Sequence, residues 1–481
     1  MSSPPHRLRR LPRRALLAPA VGLTVVALAW WLQRNVYNAS RRVLLGVAAL
    51  AGATVWLRDP ALGPYLILAA ALALNVSVGT GTSVELNAGM LLVPVAVVIW
   101  LAHGLLHRSL QFVRSRVTLP MLLFLVAALF SLWTGQVLWD PRVPRPSNLI
   151  YVQVGQWAIF AVAAGAVLLV GHTMRSEGAL RRLTLFYIGL AGALALANYV
   201  PVLNTLVRRY ATAALMRSPF WMLLAALAGG QLLFNRDLPI GWRVACMAAL
   251  AAVLVYALRD QAESASTWVS IAAVAAVLAW YRFKRLRWLA IALLLLLLVT
   301  GVLTRALFEF AGGEEEWITS GGSRLTLIGR VVEVTMRNPI TGLGPAAYRF
   351  YAAMKPLSYG KAFWVHPAVN SHNNYVDLFA HTGLLGLGLF LWWMVECAVL
   401  AQRLRRTVRT AFASAFVHSM LAAWVGAMVL MLLADWMLPH VYNIGFPGFQ
   451  AAIPFWLFLG GLLALKGLQR PEEEAQRRTS L

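Results

Sequence analysis

Ser371-His372-Asn373-Asn374-Tyr375-Val376-Asp377-Leu378-Phe379-Ala380-His381-Thr382-Gly383-Leu384-Leu385-Gly386 is polar at its start and opens an apolar run that continues well past residue 390. A bilayer core of about 30 Å takes about 20 helical residues, so this run is long enough to cross one, and its polar start reads as the outer mouth of a membrane helix. Ser371, Asn373 and Asn374 are residue types that cap helix N-termini, which sets His372 within the first turn. Unpaired backbone N–H groups there repel an imidazolium and favour a neutral ring able to accept a proton. The same position also suits an interfacial histidine bonded to a loop carbonyl.

The rest of the chain agrees with a membrane reading. With 60% hydrophobic and only 12% charged residues over 481 positions, it carries more apolar content than a water-soluble domain buries. Roughly fourteen apolar runs begin near residues 15, 42, 64, 87, 119, 150, 182, 218, 241, 266, 287, 374, 410 and 449. Several early ones are short or interrupted by Gly and Pro. The expected fold is therefore an all-α integral membrane bundle of about 12–14 transmembrane helices. A basic cytoplasmic tail over 1–14 precedes a membrane region over 15–466, and a cytoplasmic tail over 467–481 follows. The first run reads as a retained helix, because its cleavage pattern is unconvincing for a signal peptide.

The net charge of +24 is spread in short clusters between the runs, a topology signal that excludes a nucleic-acid footprint. With the N-terminus inside, alternate loops hold Arg108, Arg114 and Arg116; Arg175, Arg181 and Arg182; Arg236 and Arg243; Arg282, Lys284, Arg285 and Arg287; and Arg403, Arg405, Arg406 and Arg409. Arg34, Arg41, Arg42 and the pair Arg208-Arg209 run against this scheme. It places outside one long loop, 304–373, together with 138–149, 201–217, 259–265 and 436–448. Within the long loop, Leu325, Ile328, Val331, Val332 and Thr335 share one helix face while Arg330, Glu333 and Arg337 share another. That pattern predicts an amphipathic surface helix. Cys246 and Cys397 sit in apolar runs and predict no disulfide. The outer loops hold no Asp-x-Asp pair and no His/Cys cluster with ligand spacing, so neither a metal nor another cofactor is expected. Asp377 and His381, four apart inside a span, predict a mutually satisfied pair.

Ser323-Arg324, then Asn338-Pro339-Ile340-Thr341-Gly342-Leu343-Gly344, then His372-Asn373 with Thr382-Gly383-Leu384-Leu385-Gly386, occur in the order that resembles the O-antigen ligase and polysaccharide polymerase superfamily. The resemblance covers about 210–400. It implies a bacterial inner-membrane glycosyltransferase that takes a glycan from undecaprenyl pyrophosphate on the periplasmic face, without metal, and passes it to a hydroxyl of a lipid, glycan or protein acceptor. It also implies His372 as general base and Arg324 as pyrophosphate ligand, beside Asn373, Gly342 and Gly344. A guanidinium suits that task chemically, since it grips phosphate oxygens through two parallel hydrogen bonds as charge develops. The family's second arginine has no clear counterpart: Arg259 is the first choice, with Arg208, Arg209 and Arg217 as alternatives. His381 stands where the family usually has an acidic residue. Ligase, repeat-unit polymerase and protein O-oligosaccharyltransferase differ only in acceptor, which the sequence does not show. A transporter or flippase would predict ionisable residues at mid-membrane depth in several helices, and the first eleven runs are nearly free of them.

Overall fold

The computed structural model describes residues 56–479 apart from 57, 80–84, 262–263, most of 289–321, 355–356, 360–362 and 366–370. The runs expected near 15 and 42, and most of the run near 287, lie outside the described residues. The remainder is an all-α bundle: α1 Gly63–Ala73, α2 Ala88–Leu106, α3 Thr118–Val137, α4 Leu149–Thr173, α5 Glu177–Ala197, α6 Pro201–Tyr210, α7 Ser218–Phe234, α8 Ile240–Val255, α9 Ala265–Arg282, α10 Gly322–Thr335, α11 Tyr348–Ala353, α12 Asn374–Thr407, α13 Ala411–Leu433 and α14 Gly445–Thr479. Two short antiparallel hairpins, Ser77–Gly79 with Glu85–Asn87 and Leu357–Tyr359 with Phe363–Val365, interrupt it. Among the described residues eight helices are long and apolar enough to cross a membrane, and α1 and α7 are shorter apolar helices. The chain is a multi-pass membrane protein.

Local chemistry sets the helix starts. Asn87, Ser176 and Thr410 cap α2, α5 and α13 by accepting N–H bonds of 2.9, 3.1 and 3.1 Å, each replacing a partner that a helix N-terminus lacks. The core is built from large rings, with Trp393 and Trp456 5.4 Å apart and fully buried. Two contacts join loops that charge alternation groups together. Arg337 reaches Asp140 at 2.8 Å at one end, and Thr410 reaches Glu177 at 2.8 Å at the other.

The element that positions the site is α12, which is two helices joined at Gly383, where φ is 65°. A break at membrane depth leaves backbone groups that lipid cannot satisfy. Here the Asn338–Gly344 turn satisfies them. The Leu384 and Leu385 N–H groups donate to the Pro339 and Ile340 carbonyls at 2.8 and 3.1 Å, and the Leu343 N–H donates to the Ala380 carbonyl at 2.9 Å. Ser131 Oγ on α3 lies 2.5 and 2.6 Å from the Thr341 and His381 carbonyls, locking α3 onto the junction. Gly342 itself has φ 76°, and a Cβ there would lie 2.5 Å from the Gly383 nitrogen.

Two expectations change. The buried face of α10 holds Leu327, Arg330, Val331 and Val334, with Val332 exposed. Arg330 thus turns inward, where Glu333 meets it at 3.1 Å, instead of facing solvent. Asp377 and His381 do not pair: Ser371 Oγ donates to Asp377 Oδ1 at 2.7 Å, while His381 Nδ1 accepts the Ala346 N–H at 3.2 Å. Each is held by a different neighbour, His381 by the docked turn and Asp377 by Ser371 at the helix start.

Candidate active site

The start of α12 is stitched to the α13–α14 connection by two asparagines. Asn373 Oδ1 caps the helix, accepting from Tyr375 and Val376 N–H groups at 3.0 and 3.2 Å, and its Nδ2 donates to the Leu432 carbonyl at 2.9 Å. Asn374 Oδ1 accepts the Met437 and Leu438 N–H groups at 3.2 and 3.3 Å, and Nδ2 returns a bond to the Leu438 carbonyl at 2.8 Å. Ser371 Oγ accepts the Asn373 N–H at 3.1 Å. These buried polar groups are spent on holding the helix start, while the His372 side chain stays partly exposed.

His372 holds a left-handed backbone, φ 51°, and its side chain is 34% exposed. Its Nδ1 lies 3.5 Å from Oδ1 of Asp435, a carboxylate with no exposure. Asp435 Oδ2 accepts from Asn443 Nδ2 at 3.0 Å, so the carboxylate is oriented from behind. A buried carboxylate beside Nδ1 can orient the ring and leave Nε2 to face a substrate.

Two arginines act on the neighbourhood of this contact, Arg217 on Asp435 and Arg349 on His440. The Arg217 guanidinium lies 4.6 Å over the Trp436 ring, half-buried, with Asp435 and Tyr256 within electrostatic reach. Burial weakens its hold on the proton, and the guanidinium remains cationic. Arg349 lies 4.5 Å over the Tyr442 ring. Beneath them His440 stacks on His381 at 5.0 Å, and burial pushes His440 down to about 4.

The expected site residues divide. His372 and Asn373 stand at the same helix start, Asn373 as its cap and tether. Arg324 falls on the first turn of α10, and its side chain lies outside the described residues. Arg259 ends a π-helical turn, Tyr256–Asp260, and is exposed, while Asp260 accepts from the Tyr199 hydroxyl at 2.8 Å. Of the alternatives for a second arginine, Arg217 lies within electrostatic reach of Asp435, and the Arg208 side chain lies outside the described residues. Gly342 and Gly344 lie at the α12 hinge, with the Gly342 N–H donating to the Asn338 carbonyl at 2.9 Å. Neither Asp435 nor Arg349 is among the residues that the motif pattern singles out. The signal for Asp435 was present: a carboxylate closing an apolar helix, buried at high cost unless paired.

Residues 261–391 match a family model described as O-antigen ligase. No curated protein matches the chain. The matched segment holds Arg324, the Asn338–Gly344 turn, Arg349, His372 and the Gly383 hinge, while Arg217 and Asp435 lie outside it.

Proposed function

From the match of residues 261–391 to the O-antigen ligase family model, we propose that the protein transfers a glycan from a polyprenyl-pyrophosphate carrier to an acceptor hydroxyl on the periplasmic face of the bacterial inner membrane. The observation that carries this reading is the contact between His372 and buried Asp435 at the mouth of a membrane helix. His372 takes the acceptor's proton as its oxygen attacks the anomeric carbon. The bond from that carbon to the pyrophosphate oxygen breaks, and the electron pair leaves with the lipid pyrophosphate. Asp435 is a positioning residue, holding the ring's orientation. Arg324 and Arg217 are assigned to the charge that grows on the departing pyrophosphate, a task that needs planar, permanent cations where no metal is invoked. Arg259 is retained only as an outer contact for the donor.

The experiment is transfer by purified protein from a lipid-linked donor, with chelator present. His372→Ala is expected to lower the rate about 100- to 10,000-fold, the range for a positioned general base. Asp435→Asn, which keeps shape and removes charge, should retain donor binding and shift the pH–rate profile. Normal transfer by well-inserted His372→Ala would remove the base assignment, and a requirement for divalent metal would overturn the mechanism.

A further inference from the structure

α7 runs from Ser218, just after Arg217, to Phe234, and α12 from Asn374 beside His372 to Thr407, so their far ends lie at the end of the bundle opposite the candidate active site. A cavity of about 1080 Å³ opens there. Arg236, Arg282, Lys284, Arg285, Arg405 and Arg409 line it against one carboxylate, Asp237. Charge on short loops is expected from topology alone. Two further observations exceed that expectation. First, the cations come from three separate segments and converge on a built floor. Arg405 Nε donates to Gln402 Oε1 at 3.1 Å and its guanidinium lies 4.9 Å from the Tyr281 ring. Gln402 Nε2 donates to the Tyr281 hydroxyl at 2.6 Å, Tyr281 meets His418 edge-on at 5.3 Å, and His418 stacks on Phe234 at 4.1 Å.

Second, Tyr281 is shared with an apolar groove of about 330 Å³ between α9, α12 and α13. Ala276, Val277, Trp280, Ala398, Trp424 and Val425 line it. Positions 276–280 step back from Tyr281 along α9, and 421–425 step onward from His418 along α13, so the groove leads from the cationic cavity toward membrane depth. We propose that cavity and groove together bind an anionic phospholipid of the leaflet on that side, its phosphate among the six cations and an acyl chain along the groove. Six cations facing one carboxylate repel one another when the cavity holds only water, and a phosphate diester relieves that repulsion while arginine forks match its oxygens. Basic pockets between membrane helices are a general form of lipid headgroup recognition. This site is independent of His372 and of the transfer reaction.

Native mass spectrometry of the full-length protein tests it with dioleoyl phosphatidylglycerol, dioleoyl phosphatidylcholine and inorganic phosphate as probes. Phosphatidylglycerol should be retained about tenfold or more over phosphatidylcholine, and excess inorganic phosphate should not displace it. The triple substitution Lys284→Gln, Arg285→Gln, Arg409→Gln should abolish that preference. Arg114→Gln, Arg116→Gln, Arg406→Gln, which removes equal charge elsewhere at the same end, should preserve it. Ala276→Trp keeps every cation but fills the groove, and should also lower retention. Equal retention of the two lipids, or equal loss in both triple variants, overturns the proposal. Displacement by inorganic phosphate with Ala276→Trp unaffected would make the cavity a site for soluble phosphates and likewise overturn it.

Discussion

His372 stands at φ 51°, a conformation that costs a non-glycine residue about 1–3 kcal/mol and persists only where its surroundings over-determine it. Ser371 and Asn373 supply that determination from either side, and the result aims the ring at Asp435. Arg324 allows a sharp chemical test at the same scale. Arg324→Lys keeps the charge but loses the two-pronged grip, so transfer should fall nearly as far as with Arg324→Ala. Near-normal transfer by both, at normal expression, would show that this arginine does not hold the pyrophosphate. His440 makes a separate prediction about stability. Burial lowers it from 6.5 to about 4, with Asp435 pulling upward and Arg349 downward. Above pH 6.5 neither folded nor unfolded chain is protonated there and the group contributes nothing. As pH falls from 6.5 toward 4 the unfolded chain alone takes the proton, so stability declines by about 3 kcal/mol and then levels off. Thermal unfolding in detergent from pH 7 to pH 4 measures this, and His440→Gln should flatten the decline. An unchanged slope in that variant would assign the effect elsewhere.

At the scale of elements, the broken α12 and the Asn338–Gly344 turn form one unit, because each supplies hydrogen bonds the other lacks. This accounts for Gly342 and Gly383 together. Both adopt positive φ, and their backbones meet where no Cβ fits. Gly342→Ala is expected to cost about 2–4 kcal/mol, from a left-handed alanine and an overpacked contact. Gly329 offers the contrast, since it lies inside α10 with nothing within 4 Å of its Cβ position. Gly329→Ala should leave stability unchanged or raise it by about 0.5–1 kcal/mol through helix propensity. Unfolding midpoints of the two variants decide the matter. A Gly342→Ala protein as stable as the parent would show that the turn does not dock tightly on the hinge.

For the whole molecule, the two ends of the bundle carry different chemistry. One gathers His372, Asp435, Arg217 and Arg349, and the other gathers the cations expected on the cytoplasmic side. Reporter fusions at positions 360 and 475 test the orientation. The first should report outside and the second cytoplasm. A cytoplasmic signal at 360 would sink the proposed transfer, which needs its donor on the outer face.

Composition and run length alone determined that this chain is a helical membrane bundle, because lipid admits few backbone solutions and 60% hydrophobic content admits fewer. The polar start at Ser371–Asn374 likewise announced a helix mouth, since capping is local chemistry, but His372 stands one residue before the Asn373 cap and not in the first turn. The partner of that histidine was beyond the sequence. Asp435 is more than sixty positions away, brought to His372 by Asn373 and Asn374 tethering the α13–α14 connection. The inward turn of Arg330 and the separation of Asp377 from His381 were also decided in three dimensions. Helical periodicity says which residues share a face, but only the packed neighbours determine which face is buried, and a hinge such as Gly383 changes that face within a single run.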